Sequence, residues 1–183
     1  MQNVTLIGMY SGMRLNEICS LRAANIREIE GVLCFEVTEG KTRSASRVIP
    51  CHSLITPLVL SLREKPYNGF LFYRASMIDR ADGKRSTWHT SVLHVLNARH
   101  WESRGTERKV FHSLRHGVAQ ILDRGGGGTG KLKPVQEDRI ALLLGHERGS
   151  TESFKTYSKN SASPVELRQY IELIRYPEIE KGA

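Results

Sequence analysis

Long hydrophobic runs are missing from this chain: among its 183 residues no apolar stretch is long enough to cross a membrane as a helix. Met1 to Gly12 is mildly apolar but has no basic leading segment, so it does not read as a secretory signal. Cysteine is scarce. Cys19, Cys34 and Cys51 are odd in number, far apart and free of any C-x-x-C spacing, which argues against a disulfide framework and against a zinc ribbon. The expectation is a cytoplasmic protein without membrane contact, whose thiols are buried small hydrophobes. Internal repeats are absent as well. Two motifs lack an essential member. Gly125 to Lys131 fits G-x-x-x-x-G-K, but Leu132 stands where a phosphate loop needs Ser or Thr, and a helix rather than a strand is expected before it. We read it as a basic, flexible insertion. His112 and His116 have zinc-binding spacing and His146 could be a third ligand, yet the glutamate of H-E-x-x-H is missing and Arg115 lies between them. No metal and no cofactor are expected.

What the chain does have is positive charge, unevenly placed. The formal net charge is +8. From Arg99 to Lys133 eight basic residues face three acidic ones, whereas from Pro134 onward seven basic face eight acidic. A basic sector on a near-neutral remainder suits a polyanionic partner better than it suits general solubility.

Periodicity divides the chain into mostly helical segments. Met1 to Tyr10 and Leu15 to Leu21 read as two short helices separated by Ser11-Gly12, with Arg14 at the turn and Glu17 three residues on along the same face. Between Ile26 and Pro50 the period shortens: Gly31 to Val37 and Arg47 to Pro50 look like strands flanking a polar turn that holds Lys41. Helices are expected over His52 to Glu64, Thr87 to Trp101, Phe111 to Arg124 and Pro134 to Leu144, the last with proline in its first turn and Gly145 as its stop. Thr151 to Tyr157 reads as a short helix. On the Phe111 to Arg124 helix, Leu114, Val118, Ile121 and Leu122 form an apolar face, and the cationic face with His112, Arg115 and His116 is expected to point outward. Ser163-Pro164-Val165-Glu166 opens a last helix through Ile174, whose apolar Val165, Tyr170, Ile171 and Ile174 could pack in cis or dock on a neighbouring molecule. The fold class expected is mainly α with a small antiparallel β-sheet.

Taken singly, Arg14, Lys41, His112, Arg115, His146 and Tyr157 are ordinary residues. Together they match the needs of one reaction, attack by a phenol on a phosphodiester. Negative charge builds on the non-bridging oxygens, where two arginines can clamp them and imidazoles can donate hydrogen bonds. A phenol, with a pKa of about 10, needs a base to take its proton, and the departing oxygen needs an acid.

The strings Ser11-Gly12-Met13-Arg14-Leu15-Asn16-Glu17-Ile18, Gly40-Lys41-Thr42, His112-Ser113-Leu114-Arg115-His116, Leu144-Gly145-His146 and Thr156-Tyr157 resemble, in order, the catalytic domain of the tyrosine recombinases, the phage-integrase family. The resemblance implies that Tyr157 is the nucleophile and forms a 3′-phosphotyrosyl bond. It implies that Arg14 and Arg115 bind the scissile phosphate, His112 takes the tyrosine proton, His146 hydrogen-bonds the phosphate and Lys41 protonates the leaving oxygen. Glu17 and His116 would support that set, and Arg43, Arg47 and Lys109 would contact the DNA. The partner implied is double-stranded DNA, bound by a tetramer formed from monomers, with neither metal nor ATP required. Because such proteins carry a further DNA-clamping domain ahead of this one, residues 1–183 are expected to be a catalytic domain with that part absent. A type IB topoisomerase-like activity and a non-catalytic DNA-binding remnant are the alternatives.

Overall fold

Gly12 sets the entry to the site. The first helix, α1 (Gln2–Ser11), ends there with φ 65°, and the Gly12 amide donates to the Gly8 carbonyl. A Cβ at Gly12 would lie 2.5 Å from Leu144 Cδ2 and 3.2 Å from Val118 Cγ1, so both backbone sign and packing demand glycine. The chain then turns into α2 (Leu15–Ser20) with Arg14 as the N-cap; the Arg14 amide donates to Glu17 Oε2 at 2.8 Å. These coordinates are a computed structural model, which describes residues 1–38, 46–104, 110–127, 133–145 and 162–177, and of 97–104 the backbone alone.

Three strands follow, β1 (Ile26–Ile29), β2 (Val32–Val37) and β3 (Arg47–Pro50), antiparallel in the order β1-β2-β3. The register pairs Ile26 with Phe35 and Val37 with Arg47, which brings the start of β3 beside the end of β2. Strand β1 was not expected: its central Arg27 and Glu28 face solvent at the sheet edge, and only its two isoleucines carry an inward signal. A 3₁₀ turn at Ser53–Ile55 leads into α3 (Thr56–Glu64), followed by the single turn α4 (Tyr73–Ser76) and the long α5 (Thr87–Arg104).

In α6 (His112–Asp123), Val118 and Leu122 are wholly buried against α1 and α7. Helix α7 spans Glu137–Leu144 and begins later than Pro134. The reason is a backbone commitment: Val135 donates its N–H to the Leu122 carbonyl at 3.0 Å and buries its side chain, which keeps that stretch extended. Gly145 closes α7 with φ 67°, as its sequence position predicts.

The last helix, α8 (Pro164–Ile171), is capped by Ser163 Oγ accepting from the Glu166 amide. It packs on β3 and β2 of its own chain through Leu167, Ile171 and the following Ile174, while Val165 is exposed and Tyr170 half-buried. The segment beyond it is stitched down. Ile174 offers its carbonyl to His52 Nε2 at 3.1 Å, Glu172 accepts from the Ser53 amide and hydroxyl, and Tyr176 donates to the Met9 carbonyl. The molecule is therefore mainly helical with one small antiparallel sheet. Among the described residues no helix is long and apolar enough to cross a membrane.

Candidate active site

Glu17 is the hub around which the described cations collect. Its side chain is 6% exposed and each of its oxygens accepts twice. Oε1 takes Arg14 Nη1 at 2.7 Å and Arg47 Nη1 at 3.2 Å, and Oε2 takes the Arg14 amide and Arg47 Nη2, each at 2.8 Å. Burial alone would raise this carboxyl; the hydrogen bond and charge of Arg47, then Arg14, outweigh it and hold the group below its ordinary range. Arg14 is thus fixed at one end by a bound carboxylate while its side chain stays 42% exposed. It is a positioned cation with a face to spare.

Arg115 is not on an outward face. It is 2% exposed. Arg115, Val118 and Leu122 make one stripe, since residues seven apart on a helix differ by only about 20°, and this stripe faces the core. The apolar face deduced from Leu114, Val118, Ile121 and Leu122 is centred slightly off: Leu114 and Ile121 are only half-buried. Arg115 Nη1 donates to the Gly12 carbonyl at 3.0 Å, and Nε and Nη2 have no hydrogen-bond partner among the described residues. Burial, then the neighbouring charges of Arg14 and Arg47, pull its pKa down to about 10, with Glu17 pulling the other way. The guanidinium remains charged at neutral pH. A buried cation with two idle donors is costly unless an anion completes it.

His112 and His116 do lie on the exposed side of α6, as expected, their rings 4.6 Å apart and perpendicular. Partial burial, and then His116, Arg115 and Arg14, lower the pKa of His112, so its imidazole is neutral at physiological pH and able to accept a proton. That His112 feels both arginines places it in the same cluster.

Arg47 is corrected. Expected to contact DNA, its side chain is 5% exposed and turned to Glu17, with Nε donating to the Leu143 carbonyl at 2.9 Å. Its burial had no clear signal beyond its place in a strand whose next inward residue, Ile49, is wholly buried. Gly12 was also missed as a site residue, although its carbonyl is what holds Arg115. Lys41, Arg43, Lys109, His146 and Tyr157, and the short helix expected at Thr151 to Tyr157, lie outside the described residues. Gly145, the residue before His146, lies inside them. A Cβ there would approach Arg47 Nη1 to 2.8 Å, which accounts for the glycine in Leu144-Gly145-His146.

Among the described residues no group of three or more His, Cys, Asp or Glu side chains is arranged to hold a metal ion. What converges is an anion site: two guanidiniums with unused donor capacity and an imidazole, from the N-cap of α2 and from α6, joined at Gly12.

The sequence and the fold resemble those of known proteins. A tyrosine recombinase of Thermosipho africanus (strain TCF52B) is 29% identical over 152 residues, which is 79% of this chain and 44% of that protein. The integrase of the Tn1549 transposon, solved in complex with circular intermediate DNA, superposes with a TM-score of 0.54 at 17% identity over 99% of this chain and 59% of that one. A Tyr-to-Phe variant of the same integrase, solved with transposon right end DNA, gives a TM-score of 0.50 at 16% identity, over 93% and 57%. The chain spans about half the length of these relatives. The phage integrase family profile matches residues 1–163, most of the chain, and by that match the chain belongs to the phage integrase family of tyrosine recombinases.

Proposed function

We propose that this domain cleaves and rejoins DNA strands through a 3′-phosphotyrosyl intermediate. The observation that carries the reading is Arg115: a guanidinium 2% exposed, with Nε and Nη2 unpartnered among the described residues, beside Arg14 and His112. A scissile phosphate is the anion that would complete it. DNA as the partner is further supported by the Tn1549 integrase, whose structures hold transposon DNA.

In this reading Tyr157 Oη attacks phosphorus and His112 accepts the phenolic proton. The bond to the 5′ oxygen breaks, and Lys41 supplies the proton that oxygen takes up. Arg14, Arg115 and His146 hold the non-bridging oxygens as charge accumulates on them. The phosphotyrosyl bond keeps the energy of the diester it replaces, so rejoining is the same step reversed and consumes no ATP; the cations do the neutralising that a metal would do elsewhere. Strand exchange joins two DNA sites, for which a tetramer formed on DNA from monomers is proposed. Lys109 and Arg43, basic and near these strings in sequence, are proposed to contact the backbone.

The test is capture of a covalent adduct from a pool of nicked duplexes of randomised sequence. The unsubstituted chain should retain DNA through denaturation, and Tyr157→Phe should retain none. Equal adduct from both proteins overturns Tyr157. Binding without any adduct makes the chain a DNA-binding remnant, and sequence-indifferent relaxation of supercoils makes it topoisomerase-like.

A further inference from the structure

Arg47 has no part in the reaction as written, yet its guanidinium bridges two elements of the site's framework, Glu17 on α2 and the Leu143 carbonyl on α7. Its guanidinium fills a three-way junction. Two nitrogens meet the Glu17 carboxylate on α2, Nε meets the Leu143 carbonyl in the last turn of α7, and the Gly145 α-carbon packs on the guanidinium itself. The residue that carries these contacts comes from β3, the strand entered from the segment holding Lys41.

We infer that Arg47 is a positioning residue: it holds Glu17, and through it Arg14, in register with the Gly145 turn from which the chain runs into His146. The inference rests on the functional reading given above. Its support is the geometry of the fork. Arg14 donates to Glu17 from both its amide and its Nη1, so any rotation of the carboxylate displaces Arg14. Arg47 fixes that rotation by engaging both carboxylate oxygens, and its third donor ties the same group to α7. A lysine has the charge and three N–H donors, but all on one nitrogen, and so cannot reproduce the fork that meets both carboxylate oxygens and the Leu143 carbonyl from three separate nitrogens. Direct contact with DNA is incompatible with a side chain 5% exposed that lies close against Gly145.

The experiment compares Arg47→Lys and Arg47→Met with the unsubstituted chain on a duplex selected as above. Affinity is measured against salt concentration, adduct formation at saturating DNA, and the Glu17 carboxyl is titrated by NMR. A positioning residue leaves the salt slope unchanged, whereas a lost phosphate contact would make it shallower by about 0.9. The saturated rate should fall about 100-fold in Arg47→Met, the scale of a small misplacement of reacting groups, and less in Arg47→Lys. Glu17 faces Arg14, Arg47 and Arg115; removing Arg47 should raise its titration and carry the acid limb of the rate profile to higher pH, while lysine holds it lower. If Arg47→Met does not fold, Arg47→Lys decides, with an unchanged salt slope and a rate loss of about tenfold. A shallower slope, or a saturated rate within about twofold of the parent, overturns the inference. Absence of adduct from the unsubstituted chain is failure of the functional reading instead. The Glu17 titration then still decides, and no rise in either variant overturns the positioning role.

Discussion

Arg47 and Arg115 are both buried guanidiniums within electrostatic reach of Glu17, yet one is saturated and the other is hungry. Arg47 spends its donors on Glu17 and the Leu143 carbonyl. Arg115 has the Gly12 carbonyl and two nitrogens with no partner among the described residues. Burial of a charge is tolerated for stability only when it is paired and hydrogen-bonded. On the proposed reading the first arginine serves the framework, and the second is kept for the phosphate that would complete it. The difference separates framework from function without reference to either residue's position in a motif.

Substitution of Arg115 should break the comparison most visibly. Arg115→Met is expected to lower the rate of adduct formation by about 10²–10³, the loss seen when one oxyanion donor is removed. Unfolding in urea should show the variant as stable as the parent or more so. The converse holds for Arg47→Met, which leaves the buried Glu17 carboxylate with the Arg14 side chain and amide but without its buried partner; there we expect a loss of up to about 3–5 kcal/mol in the same urea experiment. Were Arg115→Met the more destabilising of the two, the division would collapse.

Smaller effects sharpen the contrast. Gly145→Ala should cost about 1–3 kcal/mol, part from a left-handed backbone and part from crowding of the Arg47 guanidinium. In an Arg47→Met background the crowding part disappears, and a double-mutant cycle of urea midpoints should record that coupling. The smallest effect is with pH. Glu17 has a folded pKa below its ordinary value of 4.5, so the stability it contributes is present above that value and is lost as pH falls through the lower, folded one. Acid titration of the parent should show this loss below about pH 4.5, and Arg47→Met, having already given up the interaction, should show a shallower decline.

The helical frame and the two strands flanking the Lys41 segment were legible in the sequence, because turn glycines and apolar periods mark them directly; the convergence of Arg14, Glu17, Arg115 and His112 was implied by the resemblance of the motif strings. The errors have a common origin. Arg115 neighbours His112 and His116 on the helix, which suggests their outward side, whereas its spacing to Val118 and Leu122 puts it in the buried stripe. Arg47, basic and beside the Lys41 string, suggests a DNA contact in the same way. A lone strand arginine carries no local sign of its partner when that partner, Glu17, stands 30 residues away. Pro134 misled differently: proline suits a first helical turn, but the Val135 amide was already committed to Leu122. Of the last helix, Leu167 was overlooked and Val165 overvalued, since a cap and an apolar count set a helix's start but not the angle at which it lands on a sheet.

The three cysteines have a use that their chemistry in the folded state conceals. Burial pushes Cys19 up to about 12 and Cys34 and Cys51 up to about 11, so all three are covered and protonated at neutral pH. Alkylation then has to wait for the chain to open, and its rate reports how often each region does so. Cys19 rides on the same helix as Glu17, Cys34 lies in the central strand, and Cys51 directly follows β3. The protein thus carries three built-in clocks, one of them on the helix that bears Glu17. Comparing their rates with and without DNA would tell whether that helix breathes on its own or only with the sheet.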